Sequence, residues 1–123
     1  MAEKNNFKQE IGKEGENIAA NHLESRGYTI LDRNFRAGRG EIDIIAKQGS
    51  VLAFVEVKTK KHGDFGDPVY WVTKNKQRQI GRIAKAYLQQ RAIEDMDIRF
   101  DVITLDWKEG AYQLDHIENA FWL

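Results

Sequence analysis

The sequence predicts an α/β fold in which helices flank a mixed β-sheet. Two stretches, 10–26 and 73–91, carry apolar residues at helical spacing. Three short apolar runs bounded by turn residues lie between them, and a fourth, 98–105, follows the second stretch. A helix, a three-strand meander, a second helix and another strand together form an α/β sandwich around a mixed sheet.

The first helix is predicted over 10–26, and Gly27 is its expected C-terminal cap. Residues 1–9 are predominantly polar and are expected to form a flexible segment ahead of it. Gly12 and Gly15 lie inside the helix, where each costs about 1 kcal/mol relative to alanine. Their presence indicates that a sheet edge, a phosphate or a partner approaches this helix closely.

The remaining elements outside the central hairpin follow from the same patterns. A first strand is predicted over 28–37, and a glycine-containing turn leads from it into the second strand. The second helix, over 73–91, turns one apolar stripe inward. A fourth strand is predicted over 98–105, and the stretch 111–121 is expected to add a fifth.

Two apolar runs, 41–46 and 51–58, flank a short polar stretch with glycine, and this arrangement predicts an antiparallel hairpin. Glu41 and Asp43 are two residues apart in the first run, and Glu56 and Lys58 are two residues apart in the second. The charged side chains of each run therefore lie on one face of their strand. A loop of two or four residues would therefore put them all on one face, whereas a three-residue loop would put Asp43 opposite Val55. We predict an even loop or a bulge.

The hairpin carries the residue types of a Mg²⁺-dependent nuclease centre, with Mn²⁺ as a substitute metal. Magnesium prefers oxygen ligands and keeps several waters, so the carboxylates of Asp43 and Glu56 are enough to seat it. A divalent cation can hold a phosphate oxygen and activate water for phosphodiester hydrolysis. Because side chains alternate along a strand, Lys58 projects from the same face as Glu56, where its ammonium can orient that water.

A purely structural interpretation competes with this one. A strand ending in Glu-x-Lys is common, and an acid at the rim of a sheet is usually solvated. An ion pair between Glu56 and Lys58 is a further alternative. Against both, charged side chains within apolar strands are costly to desolvate unless they are paired or bind metal.

Two further carboxylates are candidates for the same site. Glu16 follows the glycines of the first helix, and we assign it as a catalytic residue and metal ligand; an ordinary exposed glutamate is an equal alternative. Glu41 shares the parity of Asp43, and it is assigned either as an additional ligand or as a residue that supports the ligands.

Composition excludes several classes of function. The chain has 123 residues, which predicts one nuclease-like domain over 1–123. Its apolar runs are too short to span a bilayer and no signal peptide is visible, so we expect a cytoplasmic protein without membrane contact. The lack of cysteines excludes disulfides, thiolate metal sites and cysteine nucleophiles. His22, His62 and His116 lack zinc spacing and are predicted to be surface or hydrogen-bonded polar residues.

The formal charge of zero conceals a strong asymmetry. Residues 58–91 contain nine basic side chains against two acidic ones, whereas residues 92–123 contain two basic against eight acidic. The basic block follows the Glu56-x-Lys58 triplet, where a polyanionic backbone would lie if the triplet is catalytic. A merely solvated helix face is the alternative. The residues assigned to nucleic-acid contact are Lys60, Lys74, Lys76, Arg78 and Arg82.

Motifs along most of the chain form a combination more specific than any one of them. They are Gly12-x-x-Gly15-Glu16-x-x-Ala19, Gly27-Tyr28, Arg33-Asn34, Gly40-Glu41-Ile42-Asp43-Ile44-Ile45-Ala46, Phe54-Val55-Glu56-Val57-Lys58, Lys76, Arg99-Phe100-Asp101-Val102-Ile103 and His116-Ile117-Glu118-Asn119-Ala120-Phe121. On these motifs the sequence resembles the bacterial YraN family, which is similar to archaeal Holliday junction resolvases and to the restriction-endonuclease-like group with the PD-(D/E)XK motif.

The resemblance implies a restriction-endonuclease-like, metal-dependent nuclease core. Asp43, Glu56 and Lys58 stand at the matching motif positions, and Glu16 at that of the first-helix acid. Ile42 replaces the proline that gives the motif its name. Junction-cutting relatives are dimers, so the resemblance also implies a homodimer that acts on DNA.

Three functions are compatible with the sequence. The first is a Mg²⁺-dependent endonuclease that acts on DNA, with branched or damaged DNA as candidate substrates. The second is a noncatalytic nucleic-acid-binding module, and the third is a protein-interaction subunit in DNA processing. The third would use an aromatic patch made of Tyr70, Trp71, Phe121 and Trp122, although core packing is the alternative for most of these residues.

Overall fold

The computed structural model describes residues 2–61 and 72–121, with side chains described from residue 12 onward. The elements are α1 (Ala2–Ser25), β1 (Thr29–Arg36), β2 (Glu41–Gln48), β3 (Val51–Lys61), α2 (Lys74–Gln90), β4 (Asp97–Lys108) and β5 (Ala111–Ile117). Four residues discussed above, His62, Tyr70, Trp71 and Trp122, lie outside the described residues.

Within the described residues, the five strands form one sheet in sequence order, β1-β2-β3-β4-β5. The strands β3 and β4, which α2 connects, pair in parallel, and all other neighbours pair antiparallel. The predicted α/β architecture, a mixed sheet flanked by helices, is therefore confirmed, and so is the fifth strand. None of the helices in this part of the chain is long and apolar enough to cross a membrane.

The two helices pack on opposite faces of the sheet, and β3 is buried between them. Leu52 and Phe54 belong to the core under α2, together with Ile80. Ala53 and Val55 belong to the core under α1. This alternation explains why β3 is apolar at nearly every position before Glu56, since both of its faces are covered.

The helix α1 is longer than predicted, because it begins at Ala2 and includes the segment that we expected to be flexible. Its C-terminal end matches the prediction, with Gly27 just beyond it at φ 89°. A β-carbon at Gly15 would clash with Oγ1 of Thr59 and lie 3.2 Å from Cδ1 of Leu105, so this glycine lets α1 approach the sheet. A β-carbon at Gly12 would meet no described atom within 4 Å.

The hairpin between β2 and β3 has a two-residue loop, Gly49 and Ser50. Gln48 pairs with Val51, and the ladder runs from there to the pair of Ile44 and Val55. The predicted even loop is confirmed. Continuation of this register would place Asp43 opposite Glu56, which is the arrangement that the parity argument required.

The helix α2 begins after Thr73, whose side chain accepts a hydrogen bond of 3.1 Å from the backbone N–H of Lys76. Ile80, Ile83, Ala84 and Tyr87 form its buried stripe. Phe121, from the predicted aromatic patch, is only 7% exposed and stacks on Phe100 with ring centroids 5.3 Å apart. It therefore belongs to the core and is not part of an exposed patch.

Candidate active site

The candidate site lies where β2 and β3 stop pairing. Backbone pairing between the two strands ends at Ile44 and Val55, and beyond that pair carboxylate side chains interact with backbone N–H groups. The backbone N–H of Val57 donates a hydrogen bond of 2.8 Å to Oδ2 of Asp43. In return, the backbone N–H of Asp43 stabilises the ionised carboxylate of Glu56. Each carboxylate is thus fixed by the backbone of the strand that carries the other.

An irregularity in β1 and β2 accompanies this change. Ile42 packs in the core under α2, whereas Ile44 packs in the core under α1. In a regular strand, residues two apart share a face, so β2 turns over at Asp43. On the neighbouring β1, Asn34 adopts a left-handed φ of 52° between the pairs that involve Ile44 and Ile42. Parity alone could not predict this turn.

Glu56 is the most deeply buried of the candidate acids. It is only 4% exposed, and its Oε1 has no hydrogen-bond partner among the described residues. Burial and the neighbouring charge of Asp43 raise the pKa of Glu56 to about 7, against the opposing effects of Lys76 and Lys58. Burial likewise raises the pKa of Asp43, although the Val57 hydrogen bond opposes the shift. These two carboxylates are adjacent and repel each other.

Glu16 lies close to this pair but has partners of its own. Its side chain is 19% exposed, and a carboxylate oxygen lies 3.8 Å from a terminal nitrogen of Arg33. Burial and the charge of Asp43 raise the pKa of Glu16, while a side-chain hydrogen bond from Asn34 lowers it. The structure places Glu16 near Asp43, and its role as a metal ligand stays a prediction.

Glu41 also lies near the acids, at the start of β2. Its Oε2 accepts a hydrogen bond of 3.1 Å from Nε of Arg36. Its charge raises the pKa values of both Asp43 and Glu16. Within residues 2–61 and 72–121, no three His, Cys, Asp or Glu side chains are arranged as a ready-made metal cage. The acids therefore form a close pair, Asp43 and Glu56, with Glu16 and Glu41 beside it.

Two lysines act on the carboxylate pair. Lys58, two residues after Glu56 on β3, lowers the pKa values of Asp43 and Glu56. Lys76 on α2 has a larger effect than Lys58 on both. The sequence argument assigned Lys76 only to phosphate contact, because no local pattern reveals that α2 packs near the end of β2.

A basic cleft continues from Lys76 along α2. It has a volume of about 360 Å³ and is lined by Asn75, Lys76, Arg78, Gln79 and Arg82. Lys74 is exposed at the first residue of the same helix, and Lys60 is exposed towards the end of β3. Lys85, which sequence spacing grouped with Arg78 and Arg82, lines a separate groove with apolar residues. The expected basic stripe is therefore divided.

A second polar cluster, which the sequence argument did not identify as a unit, lies between β4 and β5. Asp101 is fully buried and accepts hydrogen bonds from Arg99 (2.8–3.1 Å), from Nε2 of His116 (2.8 Å) and from the backbone N–H of Asn119 (3.1 Å). Burial alone would raise the pKa of Asp101, but these hydrogen bonds hold it below its usual value. Since Arg99 also contacts the hydroxyl of Tyr28, the cluster ties the chain's two halves together. His116 is a hydrogen-bonded polar residue, as predicted.

Sequence comparison places the chain in a family. Residues 15–105 match the family described as "Uncharacterised protein family UPF0102". The chain belongs to the UPF0102 family. The UPF0102 protein of Geobacter metallireducens is 45% identical over 111 residues, covering 90% of this chain and 91% of the relative. The UPF0102 protein of Dictyoglomus turgidum is 44% identical over 115 residues, covering 92% and 98%. The family match over residues 15–105 spans all four candidate acids, Glu16, Glu41, Asp43 and Glu56.

A search of solved structures gives a more distant likeness for this UPF0102 chain. The structure of Pyrococcus furiosus SfsA in complex with Ca²⁺ aligns with 90% of this chain and 63% of that one, at 14% sequence identity and a TM-score of 0.32. A likeness at this level carries no argument about function.

Proposed function

We propose that this UPF0102 protein is a Mg²⁺-dependent endonuclease that hydrolyses phosphodiester bonds in DNA, with branched or damaged DNA as its candidate substrates. The proposal includes a restriction-endonuclease-like core, similarity to Holliday junction resolvases, and action in the cytoplasm. One observation carries it: Glu56 is buried beside Asp43, and one of its oxygens has no hydrogen-bond partner among the described residues.

The residues present fit a magnesium ion. A buried carboxylate oxygen without a partner, next to a second negative charge, is costly unless a cation compensates it. Carboxylate oxygens are the ligands that Mg²⁺ prefers, and the ion retains waters, so two carboxylates satisfy it without a larger protein cage. Mn²⁺ accepts the same oxygen ligands. When bound, the cation would polarise a phosphate oxygen and lower the pKa of a coordinated water.

The chain's own residues have separate roles in the proposed reaction. Asp43 and Glu56 would hold the cation, and backbone N–H groups stabilise both carboxylates. Lys58 shares the strand face of Glu56, where its ammonium donates hydrogen bonds to the attacking water or to the phosphate. Glu16, which contacts Arg33 and Asn34, would complete the set as a further ligand.

A noncatalytic nucleic-acid-binding module is the second candidate. The helix α2 carries basic residues and no acidic residue from Lys74 to Gln90, and this observation favours it. The basic cleft on α2 would serve a binding module as well as a nuclease. The two candidates differ in whether Glu56 and Lys58 matter for turnover.

Cleavage of labelled branched, flapped and linear DNA, with Mg²⁺ or Mn²⁺, separates the candidates. Glu56→Gln removes a charge without changing size, Lys58→Ala removes the ammonium, and Lys85→Ala is the control because Lys85 is exposed outside the cleft. We expect both site variants to lose cleavage on the order of a hundredfold or more while DNA binding persists, and the control to cut normally. Binding without metal-dependent cutting by the native chain would instead support the binding module.

The resemblance to junction-cutting proteins extends the proposal to the oligomeric state of the protein. Two symmetric cuts across a four-way junction require two active sites, which a two-fold homodimer supplies. Sedimentation of the native chain with and without junction DNA tests this point. A monomer under both conditions would remove the homodimer from the proposal and leave the cleavage chemistry unaffected.

A further inference from the structure

The cleft on α2 has the features of a phosphate-binding surface. Asn75, Arg78, Gln79 and Arg82 recur at helical spacing and line one stripe of the helix, with Lys76 one turn before Gln79. The helix from Lys74 to Gln90 contains no acidic residue. No acidic residue on α2 itself therefore neutralises these cations, and the described lining of the cleft combines three cations with two neutral amides.

One contact fixes this cleft relative to the carboxylate pair. Nε2 of Gln79 donates a hydrogen bond of 2.8 Å to the backbone carbonyl of Arg39. A β-carbon on Gly40 would lie 2.6–2.8 Å from atoms of the Gln79 side chain, so only glycine leaves room for this contact. Gly40 also has a φ of 109°, which glycine adopts most readily. The turn held by Gln79 leads directly into Glu41 and Asp43.

The short separation between the α2 cleft and the carboxylate pair favours one nucleic-acid strand that contacts both. Lys76 lines the cleft and also lowers the pKa values of Asp43 and Glu56, so it is near both the cleft and the carboxylate pair. Arg82 is six residues further along α2, or about 9 Å along the helix axis. This separation is short enough for cations on α2 to contact backbone phosphates next to the one held at the carboxylates.

We propose that the α2 cleft binds a backbone phosphate adjacent to the scissile phosphodiester, with Lys76 and Arg82 as its cations, and that the contact of Gln79 with Arg39 and Gly40 positions this phosphate relative to Asp43. This inference rests on the proposed nuclease function. It assigns Lys76 and Arg82 to binding and Gln79 to positioning.

Binding is measured without divalent metal, so that it does not depend on cleavage. The probe is a fluorescein-labelled DNA duplex, followed by anisotropy over a range of salt concentrations. We expect Lys76→Ala and Arg82→Ala each to weaken binding about 3- to 10-fold and to reduce the slope of log K against log salt by about 1. The matched control Lys85→Ala lies on the same helix outside the cleft and is expected to retain the native slope more closely.

The positioning role of Gln79 has a separate readout. Gln79→Met keeps the length of the side chain but removes the hydrogen bond to Arg39 and leaves the charge of the cleft intact. We expect an unchanged salt slope, with kcat for DNA cleavage lower by on the order of tenfold, because a misplaced strand is cut slowly even when it is bound.

The outcomes distinguish this inference from the function on which it rests. If the native chain cuts DNA but the Lys76 and Arg82 variants bind like Lys85→Ala, the cleft assignment is wrong and the nuclease stands. If the native chain binds with the expected slopes but never cuts, the cleft assignment stands and the nuclease is wrong. Normal kcat in Gln79→Met would overturn the positioning role alone.

Discussion

Glu56 is the candidate acid whose surroundings are least favourable for an ionised carboxylate. Its side chain is almost fully buried, its Oε1 has no hydrogen-bond partner among the described residues, and Asp43 adds a second charge beside it. The strand parity of Asp43, Glu56 and Lys58 in the sequence predicted that these residues would lie close together, but it did not predict the turn in β2 at Asp43. The contribution of Lys76 could not be predicted in this way, since it depends on how α2 packs against the sheet.

The raised pKa of Glu56 predicts how stability changes with pH in the absence of metal. A carboxyl group whose pKa rises from 4.5 to about 7 on folding is protonated more readily in the folded chain than in the unfolded one. The free energy of unfolding should therefore fall as the pH rises from 4.5 to about 7, and ionisation of Glu56 should lower it no further above this range. Denaturant unfolding in EDTA at several pH values measures the effect.

Glu56→Gln provides the control for this pH dependence, because a glutamine cannot ionise. We expect the free energy of unfolding of the variant to fall much less than that of the native chain between these pH values. Above neutrality the variant should be more stable than the native chain. A native chain whose unfolding free energy rises steadily through this window would show that Glu56 is not destabilised when ionised.

At the scale of the elements, close packing of α1 on the sheet positions Glu16. Gly15 allows the helix to approach Thr59 and Leu105, and Glu16 follows it directly. The sequence predicted close approach from the two glycines, and among the described residues a neighbour that explains it is found at Gly15 but not at Gly12. The early start of α1 escaped prediction because its first residues are polar and show no apolar period, and the turn in β2 escaped because it requires the left-handed Asn34 on β1.

The two glycines of α1 should respond in opposite ways to the same substitution. Gly15→Ala introduces a β-carbon into the space of Thr59, and we expect it to destabilise the protein by about 1–3 kcal/mol through overpacking. Gly12→Ala meets no described atom within 4 Å and should stabilise the protein by about 0.5–1 kcal/mol through helix propensity. Thermal or denaturant unfolding of the two variants measures both effects. Stabilisation of equal size at both positions would contradict the packing of α1 described above.

At the scale of the whole molecule, the charge asymmetry of the sequence has a structural counterpart. The basic residues of α2 line a cleft beside the carboxylate pair, whereas Asp101, from the acidic C-terminal part, is buried and paired with Arg99 and His116. Sequence reasoning predicted the basic side because charge density is a local property. It did not predict the Asp101 cluster, because its members come together only when β4, β5 and Tyr28, three residues beyond α1, meet in space.

Direct detection of a bound divalent cation tests the central claim, which is that Asp43 and Glu56 together form a metal site. Electron paramagnetic resonance of Mn²⁺ titrated into the protein would measure it for the native chain, Asp43→Asn, Glu56→Gln and the control Lys85→Ala. We expect the native chain and Lys85→Ala to bind Mn²⁺, Mg²⁺ to compete for the site, and both acid variants to lose binding by about tenfold or more. Equal Mn²⁺ binding by all four proteins, or none by the native chain, would contradict the claim.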